Sequence, residues 1–562
     1  MHLRFSLKID RVKGRTYGRL VRSVREGKRV RPITLVQLGR ITEEQIPRIR
    51  AWLATDPTLP QDPRSLLSDL GQVRIRHSWQ YGREALAHFL WRKLGLHTIV
   101  VESLSNLPGK ARQARWIETM VVNRLAEPTS KYGLLDWLEL SATPFLLELG
   151  NGKRHENLFY RAMDRLISRQ DALERRVYER VVRPLTTEPA ILYHDLTSTY
   201  CERDEEGLVR FGYNRDGVDS RPQVNWGMVV TPEGFPITME VYPGNTKDDT
   251  TVRGMRDRLE QVFDLHEGVY VGDRGMRTKD IVADLTGHGF HYILAERNSS
   301  KVAQEALTLA QKVKPVKVSE SNVAREVVTA DGARHVVLLN EKRRREELEI
   351  LEHRQAEGKA ILTRWRWRVG KLHHHEILKG AQAELRKAGL QDLFDLGFDE
   401  DSFQGLTSEW KVRVERTKAW AGWWVLSTDT DLPVEEVARL YQGLTVIERG
   451  WRELKGVLEV RPLHHRLDRR IRAHLLICEL AYLLDRYVDW SVRKAQVQER
   501  GTLVSGPRAM ERFESILLNE TELATTGLKR LIVTELQSAH EEILRAIGVD
   551  KGAFQQGWNR LD

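Results

Sequence analysis

Two aspartates stand at the ends of apolar runs. Asp195 follows AILYH (190–194), and Asp273 follows GVYVG (268–272). Gly272 and Gly275 bracket Asp273 and Arg274, so this carboxylate sits where a strand turns outward and can be offered to a group beyond the sheet. Two carboxylates brought close raise each other's pKa unless a cation intervenes. A hard divalent ion such as Mg²⁺ takes such oxygen ligands. Two ions flanking a phosphate serve phosphoryl transfer. A third acid is expected on the helix that follows Pro433. There Tyr441, Glu448 and Lys455 are seven residues apart, so on an uninterrupted helix they drift about 20° per step and share one face. Glu453 falls about 120° from Tyr441 and reads as a surface residue. Glu448 is therefore the better third acid, and Lys455 offers an ammonium that meets phosphate as a point charge.

The elements that must position these residues follow from pattern. AILYHDLTSTYCE, QVNWGMVVT and FPITMEVYPGN read as three successive strands. DDTTVRGMRDRLEQVF reads as a helix, GVYVGDRGM as a fourth strand, TKDIVADLTGHG as a helix and FHYILAERN as a fifth strand. Three antiparallel strands followed by helix, strand, helix, strand is the order of an α/β, ribonuclease-H-like core. In that core the first and fourth strands are neighbours, which sends Asp195 and Asp273 to one place. The order breaks at about 298 and resumes at AWAGWWVLSTD (419–429). The pattern divides the chain into a basic strand-rich region (1–75), a helical region (76–188), the core's first part (189–297), an inserted domain (298–418), the core's second part with the catalytic helix (419–490) and a helical C-terminal region (491–562).

Charge and composition narrow the partners. Among 562 residues, 89 Lys and Arg stand against 79 Asp and Glu. The first 50 residues carry the whole excess, with 14 basic and four acidic side chains. Such a concentration favours a polyanion, because binding releases counterions from phosphates. GRLVRSVREGKRVRPITLVQLGRI reads as a hairpin around Glu26-Gly27-Lys28, and with the helical region it is expected to bind DNA. LLICELAYLL (475–484) is broken by Glu479 and reads as a buried helix rather than a membrane span. The N-terminus has no apolar signal core, and Cys201 and Cys478 read as reduced thiols, so a cytoplasmic protein is expected. His373-His374-His375-Glu376 does not read as a zinc site, since consecutive histidines in a strand point to opposite faces. Trp365, Trp367, Trp420, Trp423 and Trp424 read as core, with one of them available to stack on a flipped base.

YHDLTSTY, YVGDRGM and Y-x6-E-x6-K, in this order and with a long insertion before the last, resemble the DDE transposases of bacterial insertion sequences. More narrowly they resemble the group with a Y-x2-R-x3-E-x6-K signature, as do YPGNTKDDTT (242–251) and NRLAEPTSKYGLLDW (123–137). The resemblance implies Asp195, Asp273 and Glu448 as catalytic, metal-holding acids, with two Mg²⁺ ions for which Mn²⁺ substitutes. It implies Tyr441 and Lys455 as DNA contacts, double-stranded DNA (element ends and target) as partner, and a homodimer in the active complex. The signature arginine falls at Leu444, which cannot contact phosphate, so Arg449 or Arg452 is expected to supply that charge. The expected function is cleavage at the element's ends and joining of the 3′-hydroxyl to target DNA. A nuclease without strand transfer and a DNA-binding protein with an inactive core are the alternatives.

Overall fold

The computed structural model describes residues 5–557 apart from 13–14, 27–28, 44, 56–72, 105–107, 151, 189, 219, 400–401, 405–413, 416 and 524–528. The turn read at Gly27-Lys28 lies outside the described residues. The chain forms two compact units, one of Met1–His97, Ala111–Tyr160 and Tyr487–Asp562, the other of Thr98–Lys110 and Arg161–Arg486.

In the first unit, Phe5–Val12, Arg15–Glu26 and Arg29–Arg40 make a three-stranded antiparallel sheet. Leu20 and Leu38 bury one face against Ile46 and Ile49 of the helix Gln45–Thr55. A second sheet pairs Leu517–Leu523 with both Val73–Gln80 and Lys529–Val533. The C-terminal region, expected to be helical, thus carries strands as well as helices, with a further short pair at Gln498–Glu499 and Thr502–Leu503. The cross-strand links of the second sheet are polar, with Ser78 donating to Asn519 at 2.7 Å and Arg76 paired with Glu522 at 2.7 Å. Pairing held this way leaves little hydrophobic period to read.

The second unit is built on a nine-stranded sheet. Its strands are β1 (Ile191–Tyr200), β2 (Gln223–Val230), β3 (Pro236–Pro243), β4 (Gly268–Gly272), β5 (Phe290–Ala295), β6 (Val316–Lys317), β7 (Asn322–Val328), β8 (Arg334–Asn340) and β9 (Trp423–Thr428). They lie in the order β6-β7-β8-β9-β5-β4-β1-β2-β3. β1 is parallel to β4 and β4 to β5, while β2 is antiparallel to both of its neighbours, β1 and β3. Burial on both faces explains the unbroken apolar run of β1, where Ile191, Leu192, Tyr193 and His194 are all buried.

Helices α1 (Asp249–Phe263) and α2 (Lys279–Gly287) make the crossovers β3 to β4 and β4 to β5. Thr278 caps α2 by accepting from the Ile281 N–H at 3.2 Å. Helix α3 (Lys301–Ala310) packs Ala303, Ala306 and Leu307 against Val327, Val337 and Val425 of the sheet. The stretch read as an insertion therefore adds β6, β7 and β8 to the same sheet. Its helices α4 (Glu341–Arg366) and α5 (His374–Lys387) share a core of Leu351, Ile361, Leu362, Ile377 and Leu385. The triple histidine opens α5 rather than lying in a strand. The Glu376 carboxylate accepts from the His373 N–H at 3.0 Å, and His374 stacks on Phe398.

The long helix expected after Pro433 is two helices, α6 (Val434–Gln442) and α7 (Thr445–Gly456). At the junction the N–H groups of Leu444, Val446 and Ile447 bond three residues back, tightening the winding. Gly443 makes this possible, since a Cβ there would collide with the Tyr193 hydroxyl. No helix among the described residues is long and apolar enough to cross a membrane.

Candidate active site

Register brings the two aspartates together. Tyr193 pairs with Val271 and His194 with Gly272, so Asp195 and Asp273 come next at one level of adjacent strands, about 4.8 Å apart across the sheet. β4 ends there. A turn closes over Asp273, with the Met276 N–H bonded to its carbonyl at 3.0 Å and the Arg274 N–H to its Oδ1 at 2.6 Å. Beneath the pair, the Tyr270 hydroxyl bonds His194 Nδ1, and burial drives that imidazole down to about 3, so His194 stays neutral.

Asp195 is held from α7. The Trp451 indole N–H donates to Asp195 Oδ2 at 2.9 Å. The Trp451 ring meets Trp226 edge-on at 4.7 Å, and the Trp226 N–H donates to Thr199 on β1 at 3.0 Å. Burial and the nearby Asp273 push the Asp195 carboxyl up to about 7, against the opposing pull of Trp451, the Leu196 N–H and Arg215. Such a group gives up its proton readily to an arriving cation.

Asp195, Asp273, Tyr441 and Glu448 line one pocket of about 470 Å³. Tyr441 is half-buried, and burial with the carboxylates of Asp273 and Glu448 keeps its phenol protonated. Leu444 also lines the pocket. The rest of the lining includes Asn322 and Asn340 of the added strands, Arg343 of α4 and Trp424 of β9. Asn340 caps α4 through the Arg343 N–H at 2.7 Å, and the Arg343 guanidinium lies over the Trp424 ring at 4.8 Å. Of the five tryptophans read around the insertion, Trp424 is the one in the pocket lining.

Other expected residues lie elsewhere. Lys455 is paired with Asp216 at 2.7 Å and is not part of the pocket lining. Arg449 and Arg452 are exposed and outside it. Glu453, expected at the surface, is buried at 9% exposure, because it borders the packed face of α7 formed by Ile447, Gly450, Trp451 and Leu454, while Glu448 is exposed. Trp451, Arg215, Asp216 and Asp248 were missed by sequence reasoning. For Trp451 a signal existed: it lies three residues after Glu448 and so on nearly the same helix face.

Among the described residues no three His, Cys, Asp or Glu side chains converge tightly enough to hold a single ion. The three pocket acids are still all hard oxygen donors, two adjacent and one on a separate helix of the same lining, which suits a hard divalent ion rather than a softer one.

No curated protein matches the chain. Among solved structures, the synaptic complex of piggyBac transposase with hairpin DNA matches at 8% identity over 77% of this chain and 79% of that one. Its TM-score of 0.39 is a likeness too slight to bear on the fold. The model of the Transposase DDE domain matches residues 189–484, from just before β1 to beyond α7. That match spans more than half of the chain and every acid of the pocket, and the protein belongs to the Transposase DDE domain family.

Proposed function

We propose that this transposase binds the terminal repeats of a bacterial insertion sequence, cuts DNA at the element's ends and joins the freed 3′-hydroxyl to target DNA. One observation carries the reading: Asp195, Asp273 and Glu448 line a single pocket with Tyr441. The strand order β3-β2-β1-β4-β5, antiparallel then parallel, supports a ribonuclease-H-like core. Asp195, Asp273 and Glu448 are the residues that would hold divalent ions, Mg²⁺ by donor type, as DDE transposases generally do. When bound, such ions supply charge neutralisation and water activation.

The chain's own residues prepare that site. Trp451 fixes the Asp195 carboxylate through its N–H, so one oxygen is oriented and the other left for a ligand. Tyr441 keeps its proton, so its hydroxyl can donate a hydrogen bond to a phosphate oxygen. In the first step a water oxygen attacks phosphorus and the 3′-oxygen leaves as a hydroxyl. In the second that hydroxyl attacks another phosphodiester and displaces its 3′-oxygen. Two element ends must be processed together, which supports a dimer.

The test uses duplex DNA carrying the genomic sequence that flanks the coding region on each side. Cleavage and joining are followed with Mg²⁺ for the unmodified protein and Asp273→Ala. Binding retained with cleavage lost is expected. Equal cleavage in both removes Asp273 from the site.

A further inference from the structure

The lysine of the signature is engaged away from the acid pocket. Lys455 Nζ lies 2.7 Å from Asp216 Oδ1, and a guanidinium nitrogen of Arg461 lies 2.6 Å from the same oxygen. The Asp216 side chain is only 2% exposed, while Arg461 is 33% exposed and reaches solvent. One buried carboxylate needs one cation for neutrality, and here it has two. The trio therefore keeps one net positive charge, the charge that one phosphodiester would match.

This trio is built into the catalytic region. Asp216 lies in the β1–β2 connection, and its N–H is held by Asn214 Oδ1 at 2.7 Å. The adjacent Arg215 is tied to β1 by its N–H to Ser198 Oγ at 2.9 Å, and its guanidinium pairs with Asp248 at 2.5 Å. Asp248 in turn packs on Gly275 of the Asp273 turn, where a Cβ would come within 2.7 Å of its Oδ2. The positive field of Arg215 acts on both Asp195 and Lys455. Lys455 is seven residues beyond Glu448 on α7, about 10 Å along the axis, or about three base-pair rises of DNA.

We propose that Asp216 is a positioning residue that sets Lys455 and Arg461 as a two-cation grip for one DNA phosphate beside the acid pocket. Arg461 then supplies the cation that Leu444 lacks. This rests on the reading of the chain as a DNA-cutting transposase.

The probe is the flanking-sequence duplex described above. DNA affinity is measured against salt in EDTA, and cleavage in Mg²⁺. Lys455→Ala and Arg461→Ala each lower the slope of log K against log[salt] by up to about 0.9, and the double variant loses no more, because both cations serve one phosphate. Asp216→Asn removes a negative charge, so binding holds or tightens while cleavage falls tenfold or more; Asp216→Glu recovers part of the cleavage. Binding and cleavage lost together in Asp216→Asn, or an unchanged slope and cleavage in Arg461→Ala, overturns the grip. Arg461 is partly exposed, so its variant does not depend on repacking a core. Asp273→Asn is run alongside. If it cuts like the unmodified protein, the reading of the acids fails, while the Arg461 slope still decides the grip.

Discussion

Trp451→Phe separates positioning of Asp195 from packing. The substitution deletes the 2.9 Å bond from the indole N–H to Asp195 Oδ2 and keeps an aromatic ring against Trp226. A hydrogen bond to a charged group contributes about 1.5–3 kcal/mol, and about 1.4 kcal/mol is a factor of ten. If Asp195 holds metal, the variant needs roughly 10- to 150-fold more Mg²⁺ or cuts slower by that factor. Losing a partner of a metal ligand costs about 10–100-fold in other systems, the same range. Trp451 is 6% exposed, so truncation to alanine would open a cavity costing about 3–5 kcal/mol, and phenylalanine costs less. The bond also lowers the Asp195 pKa, so its loss raises that pKa and the deficit widens at lower pH. The assay is single-turnover cleavage across Mg²⁺ concentration and pH, with thermal unfolding of the same samples. Superimposable Mg²⁺ curves for the variant and the unmodified protein would refute the role assigned to Trp451.

Asp195 keeps its proton up to about 7 in the folded chain, so if it holds Mg²⁺, binding releases a proton below that pH and weakens as pH falls, which calorimetry in buffers of different ionisation enthalpy detects. Without metal, the same group's contribution to stability is present below its ordinary value of 3.8 and is lost as pH rises to about 7, a trend visible in urea unfolding against pH. Gly443→Ala drives a methyl into the Tyr193 hydroxyl and costs about 1–3 kcal/mol, and Tyr193→Phe in the same chain restores part of the loss on thermal unfolding. Asp284→Ala removes the 2.9 Å ion pair that ties Arg256 of α1 to α2, at about 1.5–3 kcal/mol in denaturant titration, with little change in DNA affinity.

What the sequence made legible was local order and period. Each strand from β1 to β5 announces itself by an apolar run, and the succession of elements was enough to make β1 and β4 neighbours. The shared level of Asp195 and Asp273 then followed from their places at the strand ends. The break between α6 and α7 was not legible, because Gly443 is shaped by a hydroxyl 250 positions earlier in the chain. Tyr441 and Glu448 still line one pocket, but through two helices joined by a tightened turn. The partner of Lys455 escaped for the same reason: Asp216 sits in an irregular connection with no period. Glu453 misled because its distance from the Tyr441–Glu448 face says nothing of which face packs, and it lies three residues after Gly450, at the edge of the buried stripe.

On the function proposed above, charge within the pocket constrains how DNA can enter. Three carboxylates line it, against the one guanidinium of Arg343, and that guanidinium is itself paired with Glu347 at 2.7 Å. A phosphate approaching this surface alone meets net repulsion from the ionised carboxylates, greatest above the pH of about 7 at which Asp195 also gives up its proton. The added strands sharpen the constraint. β9 pairs with β5, and β8 with β9, so the chain leaves β5, builds the outer strands, and brings Asn340 and Trp424 to the pocket lining. That wall offers amides, an aromatic face and an arginine already paired with Glu347, which cannot offset the charge of the ionised acids. Compensation must therefore come from cations bound by the acids or from the arginines and lysine beside them. The surplus positive charge of the Asp216, Lys455 and Arg461 trio is one such source, and its lysine lies on the helix that also carries Glu448. An α7 displaced from β1 would lose the Trp451 bond, the Glu448 carboxylate and the Lys455 ammonium at once, which makes the seating of this one helix the step on which the whole site depends.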